Sequence, residues 1–330
     1  MKKILNEPSA YVDEMLAGLC AAYPEHYTLT RPRVLARTGG ARQGKVGIVT
    51  GGGSGHLPVF LGYVGQGLLD ACAVGNVFAG PRVADCIGAI EAADGGAGVL
   101  TLYGNYGGDR MNFEMAQEQL ESDRLRLASV RVADDVASAS PAERDKRRGV
   151  AGMVLAFKAA GACAAAGHDL DTVTRVARKA AQACRSIGVA LTPCTIPESG
   201  QASFEIAQAE IEFGMGIHGE PGLWRGPMKS ADALTDEMLD LLLPELPLSS
   251  GDRVTVLVNS LGATPHEELF IVYRRVAQVL AARGVRPVMP LVGRYATSME
   301  MTGLSLTLMP LDDELHSLLS APAECPFWKV

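Results

Sequence analysis

The stretch Val46-Gly47-Ile48-Val49-Thr50-Gly51-Gly52-Gly53-Ser54-Gly55-His56 decides the fold class. A β-rich run from Val46 to Thr50 passes straight into a glycine-rich turn, and the same grammar returns twice. Gly98 to Tyr103 leads into Asn105-Tyr106-Gly107-Gly108-Asp109, and Leu127 to Ala133 leads into Asp134-Asp135. Short strand, glycine or polar turn, then helical pattern is the signature of a parallel sheet with helices on its faces. The carboxyl ends of such strands hold the ligand, so the three loops are expected on one rim.

Working outward, Val150 to Ala166 is an alanine-rich helical segment, apolar almost all round and therefore expected to be buried. Asp252 to Val258 reads as a strand running into Gly262-Ala263-Thr264-Pro265-His266-Glu267. There Thr264 is the expected N-cap, Pro265 the first helical residue and Glu267 the partner in a capping box. Leu269, Val272, Tyr273, Val276 and Leu280 follow at helical spacing, and Arg283-Gly284 offers a basic last turn and a C-cap. Val288 to Val292 and Leu304 to Met309 read as further strands. The expectation is an α/β chain of two α/β domains. Residues 1–185 form a mostly parallel sheet with helices on both faces and carry the glycine loop and Asp109. Residues 186–330 form a mixed sheet and carry His218.

Composition narrows the function. The chain has 330 residues, 48% of them hydrophobic and 20% charged, which suits a folded protein and not a disordered one. A formal net charge of −7 supplies no broad positive field for nucleic acid or an anionic membrane, and 5% aromatic residues leave little for base stacking. Small molecules and proteins are the expected partners. Seven cysteines, an odd number without a Cys-x-x-Cys pair, read as reduced and buried thiols. No leader-like or membrane-spanning apolar segment is apparent, so a cytoplasmic location is expected. The six histidines form no pair at ligand spacing and no Cys/His cluster exists, so no metal site is expected.

Taken singly, the motifs leave alternatives open. The loop Gly51 to His56 lets a backbone approach a ligand closely, yet it lacks both the phosphate-loop lysine and the dinucleotide-binding spacing, and an ordinary strand-to-helix turn explains it as well. Asp109 is either a general base at a strand end or the N-cap of a helix beginning near Asn112. His218, in Gly214-Met215-Gly216-Ile217-His218-Gly219-Glu220-Pro221-Gly222, is a nucleophile, a base, a metal ligand or merely structural.

Together the segments carry more. Gly51 to His56, Asn105 to Phe113, Asp134-Asp135-Val136-Ala137, Arg147-Arg148-Gly149-Val150-Ala151, Pro193-Cys194-Thr195, Gly216 to Gly222 and Leu261-Gly262-Ala263-Thr264-Pro265 resemble, in order, the signatures of the substrate-binding K subunit of the dihydroxyacetone kinases. The resemblance runs over nearly the whole chain. It implies that His218 adds to the carbonyl carbon of a short ketose as a covalent hemiaminal, that His56 shuttles the proton, and that Asp109 takes the proton of the hydroxyl to be phosphorylated. Gly53, Ser54, Gly55 and Gly104 would line the substrate. It also implies a homodimer, and a separate L-type subunit bringing ATP or ADP with magnesium, or a phosphotransferase-system relay, since this chain has no nucleotide-binding motif of its own.

The sequence departs from the family pattern at Leu57, Phe60, Asn76 and Gly80, where well-known members have glutamate, histidine, an acidic residue and serine. At Gly104, dihydroxyacetone-specific members place a lysine. Its loss suggests room for a four-carbon ketose such as erythrulose. A ketose-sensing co-activator that transfers no phosphate is the reading from another class, and retention of Asp109 speaks against it.

Overall fold

The computed structural model describes residues 2–120 and 125–330. Helix α1 (Tyr11–Ala22) precedes strands β1 (Tyr27–Arg31), β2 (Val34–Arg37), β3 (Gly47–Gly53) and β4 (Ala71–Gly75). Helix α2 (Val83–Ala93), β5 (Val99–Gly104), α3 (Gly107–Leu120) and β6 (Leu127–Val132) follow, then helices α4 (Gly152–Ala165) and α5 (Leu170–Ala183). The six strands form one sheet in the order β1-β2-β4-β3-β5-β6. β4, β3, β5 and β6 run parallel, and β1 and β2 are added antiparallel at one edge.

β3 and β5 are buried along their whole length, which is why their sequences lack alternation: each is covered on both faces. Val49, Ala73 and Tyr103 pack with Ile90, Phe113 and Ala116 from α2 and α3 on one face. Ile48, Cys72 and Leu102 join Leu16, Val154, Phe157 and Val173 from α1, α4 and α5 on the other. Every residue of α4 from Gly152 to Ala164 is buried, as its all-round apolar pattern requires. Its entry is held by Asp134, whose carboxylate accepts from the Val150 and Gly152 N–H groups at 2.8 Å each and from the Ser186 hydroxyl.

The rest of the chain builds a second, mixed sheet from β7 (Arg185–Thr192), β8 (Glu210–Phe213), β9 (Trp224–Pro227), β10 (Arg253–Ser260), β11 (Arg286–Pro287), β12 (Leu291–Gly293) and β13 (Thr302–Leu311). The order is β11-β10-β13-β7-β8-β9, with β12 also on β10. β10 pairs parallel with β11 and β12, and the remaining pairings are antiparallel. Helices α6 (Ala231–Leu242) and α7 (His266–Ala282) bring Met238, Leu239, Val272 and Val276 against Ile187, Val189 and Val256. α8 (Asp313–Ser320) and the short hairpin of β14 (Glu324–Cys325) and β15 (Trp328–Lys329) end the described chain.

Two expectations need correction. The run Val288 to Val292 is not one strand, because Met289 takes φ of 52° and breaks the extended backbone between β11 and β12. Thr264 does not cap α7. The helix starts at His266 with Pro265 in the cap position and no side-chain cap. The Thr264 hydroxyl instead donates to Gly303 O at 2.6 Å and accepts from Gly303 N at 2.8 Å, tying the loop to β13. A tertiary partner thus takes the hydroxyl that local pattern assigns to the helix end. All seven cysteines are unpaired thiols.

Candidate active site

The glycine loop leaves β3 as a single 3₁₀ turn, Ser54–His56, and loops flanking both sheets hold it. From the first, Gly55 N–H donates to Val77 O at 2.8 Å. The approach is so close that a Cβ on Gly53 would stand 2.5 Å from Val77 O, which explains the glycine there. From the second, Met299 N–H donates to Gly55 O at 2.9 Å, and the Thr297 hydroxyl donates to Leu57 O at 2.9 Å. That strap is itself anchored: the Asn259 carboxamide oxygen accepts from Tyr295 and Ala296 N–H, and its nitrogen donates to Ala296 O.

His56 is fully buried in this clamp. Its Nδ1 lies 2.7 Å from Thr297 O. A carbonyl oxygen only accepts, so Nδ1 carries the proton and Nε2 presents a lone pair. Burial first, and the neighbouring His218 second, hold the imidazole down to about 3, so it stays neutral. His218 faces it edge-on, ring centroids 4.6 Å apart at 85°. Tyr106 packs against His218 at the same 4.6 Å and at 86°, and Phe78 closes the set, 5.1 Å from His56 and 5.9 Å from His218.

His218 is oriented by Glu220. Its Nδ1 donates to Glu220 Oε1 at 3.0 Å while its backbone N–H donates to Oε2, also at 3.0 Å. Burial alone would raise the Glu220 carboxyl. The His218 hydrogen bond and charge, with a smaller contribution from Arg148, outweigh it and bring the group down to about 2. An ionised carboxylate only accepts, so the His218 nitrogen facing it, Nδ1, carries a proton, and the neutral form of the ring has its lone pair on Nε2. Arg148 braces the arrangement, bonding Asp135 at 2.9 Å and Gly214 O at 3.1 Å and lying 3.9 Å from Glu220 Oε2. Gly216 is required because a Cβ there would stand 2.3 Å from Glu220 Oε2.

Asp109 sits in the first turn of α3, which begins at Gly107, so it does not serve as the cap of a helix starting near Asn112. Burial lifts its carboxyl to about 6, with the charge of nearby His218 and a backbone hydrogen bond pulling the other way. Its Oδ1, the Ser54 hydroxyl, His56 Nε2 and the Tyr106 hydroxyl are buried and unpaired among the described residues. Leaving such groups unsatisfied costs about 1–3 kcal/mol each, so this concentration calls for a polar guest. Gly80 lies against the carboxylate: a Cβ there would stand 3.2 Å from Asp109 Oδ1, so Asp109 itself occupies that space. At Gly104 the corresponding space is filled: a Cβ would meet Met153 Sδ at 3.0 Å and the Tyr106 ring at 3.2 Å.

The structure therefore brings His56 and His218 into contact and sets Asp109 within electrostatic reach of His218. Glu220, Tyr106, Phe78, Thr297 and Arg148 were given no role by the sequence reading. Glu220 and Tyr106 stand inside quoted motifs, two residues from His218 and three from Asp109, whereas Phe78 and Thr297 have no local signal. Among the described residues no cluster of three or more His, Cys, Asp or Glu side chains could hold a metal.

An α/β protein with two facing imidazoles, a raised carboxyl and several orphaned polar groups between two sheets is built to bind and activate a small polar molecule. The chain belongs to the Dak1 domain family, whose model matches residues 17–327. It is 45% identical, over the full length of both chains, to PTS-dependent dihydroxyacetone kinase 2, dihydroxyacetone-binding subunit DhaK, of Listeria innocua. It is 43% identical to the L-erythrulose kinase of Pectobacterium atrosepticum, covering all of this chain and 56% of that one. The crystal structure of the dihydroxyacetone kinase of C. freundii superposes on the whole chain with a TM-score of 0.89 at 32% identity, over 60% of its own length.

Proposed function

We propose that this chain is the ketose-capturing subunit of a short-chain ketose kinase. The carrying observation is the pair of imidazoles, 4.6 Å apart and each with Nδ1 held by an acceptor, beside a carboxyl raised to about 6. Neutral His218 attacks the ketone carbon through Nε2; the C–N bond forms as the C=O π bond opens, and the oxygen takes up a proton from solvent. The ring becomes cationic and is stabilised by ionised Glu220. His56 Nε2 accepts from the new hydroxyl and relays its proton when the hemiaminal collapses. Its neutrality suits a relay and not a store. Asp109, with a carboxyl near working pH, takes the proton of the hydroxyl to be phosphorylated.

The donor, ATP or a phosphoenolpyruvate-fed relay with magnesium, is assigned to a separate L-type subunit, so the chain alone is inactive. A homodimer, a cytoplasmic location and the division at residues 185 and 186 belong to the same proposal. Among the described residues no helix is long and apolar enough to cross a membrane. Both dihydroxyacetone and a four-carbon ketose are substrates on this reading, the latter supported by the likeness to an erythrulose kinase. The test is mass spectrometry after incubation with three- and four-carbon ketoses. An adduct on His218, absent with glycerol, supports the proposal, and no adduct with any such ketose removes it. An adduct without product after reconstitution with an L-type subunit or a phosphotransferase relay would identify the co-activator instead.

A further inference from the structure

Beside the ketose site lies a cavity of about 610 Å³ at the carboxyl ends of β5 and β6. Four arginines from four separate pieces of chain line it: Arg131 from β6, Arg144 from the turn Pro141–Lys146, Arg178 from α5 and Arg185 from β7. One carboxylate, Asp145, joins them.

The arginines are unequally satisfied. Arg185 is largely spoken for, since it pairs with Glu245 at 3.1 Å and donates to the carbonyls of Gln182 and Cys184. Arg144 donates only to Pro141 O, and Arg131 and Arg178 have no hydrogen-bond or ion-pair partner among the described residues. Burial first, and the charge of Arg144 second, depress Arg185, a sign of positive charge crowded at this wall. In a chain of net charge −7 such a concentration is not explained by solubility or by the fold.

We infer that this cavity is a binding site for a phosphate-bearing small molecule, distinct from the ketose cleft. Guanidinium groups reaching a concave space from several directions match a tetrahedral oxyanion, whose oxygens accept paired N–H donors on more than one side. The volume exceeds what inorganic phosphate needs and falls in the range of small-ligand pockets, so a phosphorylated metabolite or a nucleotide fits. The site adjoins the ketose cleft through two connections. Asn105, which lines the cavity, is the neighbour of Tyr106, and its amide donates to Asp145 O at 3.0 Å and Arg147 O at 2.7 Å. The next residue, Arg148, is the brace of Glu220.

Isothermal titration of the full chain at low ionic strength, with inorganic phosphate, pyrophosphate and magnesium-free ADP, tests this without reference to ketose capture. The charge-reversed double variant Arg131→Glu with Arg178→Glu alters two exposed side chains that no carboxylate partners, and its melting temperature and ketose adduct serve as controls. Saturable binding of at least one probe, weakened about tenfold or more in the variant and by added salt, is expected. Preference for ADP over pyrophosphate would identify a nucleotide, and equal binding a site that reads phosphate alone; both support the inference. No binding of any probe at millimolar concentration, binding unchanged in the folded variant, or tight binding of an acidic peptide but not of the phosphates would overturn it.

Discussion

Replacing Asp109 by asparagine is expected to stabilise the protein while abolishing phosphoryl transfer. The carboxyl is nearly buried and is lifted from 3.8 to about 6. About two units at ~1.4 kcal/mol each make an upper figure of roughly 3 kcal/mol for holding the ionised group in the fold. The sign follows from proton linkage. A carboxyl raised in the folded state binds protons more tightly there than in the unfolded chain, so its penalty is fully present above the folded value and fades as pH falls from about 6 through 3.8. Urea unfolding of the ligand-free wild type and variant should therefore show the amide more stable by up to ~3 kcal/mol near pH 8, the gap falling to roughly half near pH 5. In the reconstituted enzyme, product formation should drop about 10²–10⁴-fold while the His218 adduct still forms. A variant no more stable than wild type near pH 8, or a gap that does not shrink on acidification, would refute the account of Asp109 as a base strained by burial.

Three further outcomes follow from the site and its supports. Glu220→Gln should slow adduct formation on His218 about tenfold or more by releasing the tautomer, and a proton spectrum should lose the hydrogen-bonded Nδ1 signal of that ring. Gly80→Ser should bring a hydroxyl into reach of the unpaired Asp109 Oδ1 and lower its carboxyl, moving the acid limb of product formation to lower pH; an unchanged pH profile would sever Gly80 from Asp109. Arg147 is buried and forms a two-pronged pair with Glu245 at 2.7 Å, so Arg147→Ala should cost about 1.5–3 kcal/mol in urea unfolding by removing that pair, with Arg185 left as the carboxylate's partner.

Local pattern reached far into this protein where the elements answer to local causes. The three strand-to-loop transitions are visible because parallel strands need unbroken β-rich runs and sharp turns at their carboxyl ends. The buried helix α4 is visible because no face of it is polar. His56, Asp109 and His218 were each readable as reactive residues, and only their joint occurrence in ordered motifs separated chemistry from a turn, a cap and a structural imidazole.

Where the pattern failed, a distant partner intervened. Thr264 has the sequence of an N-cap, yet Gly303, far along the chain, takes its hydroxyl. Gly104 suggested open space, yet Met153 and Tyr106 occupy it. The amino-acid order by itself determined that glycine loops would end parallel strands and which residue types would reach the rim. Tertiary structure alone decided that Thr297, from the loop between β12 and β13, sets the His56 tautomer and that Glu220 meets His218 Nδ1 with an ionised carboxylate. Thr297 stands 241 positions from His56 and left no local signal, whereas Glu220 is two residues from His218 and only the folded loop turned its carboxylate onto the ring.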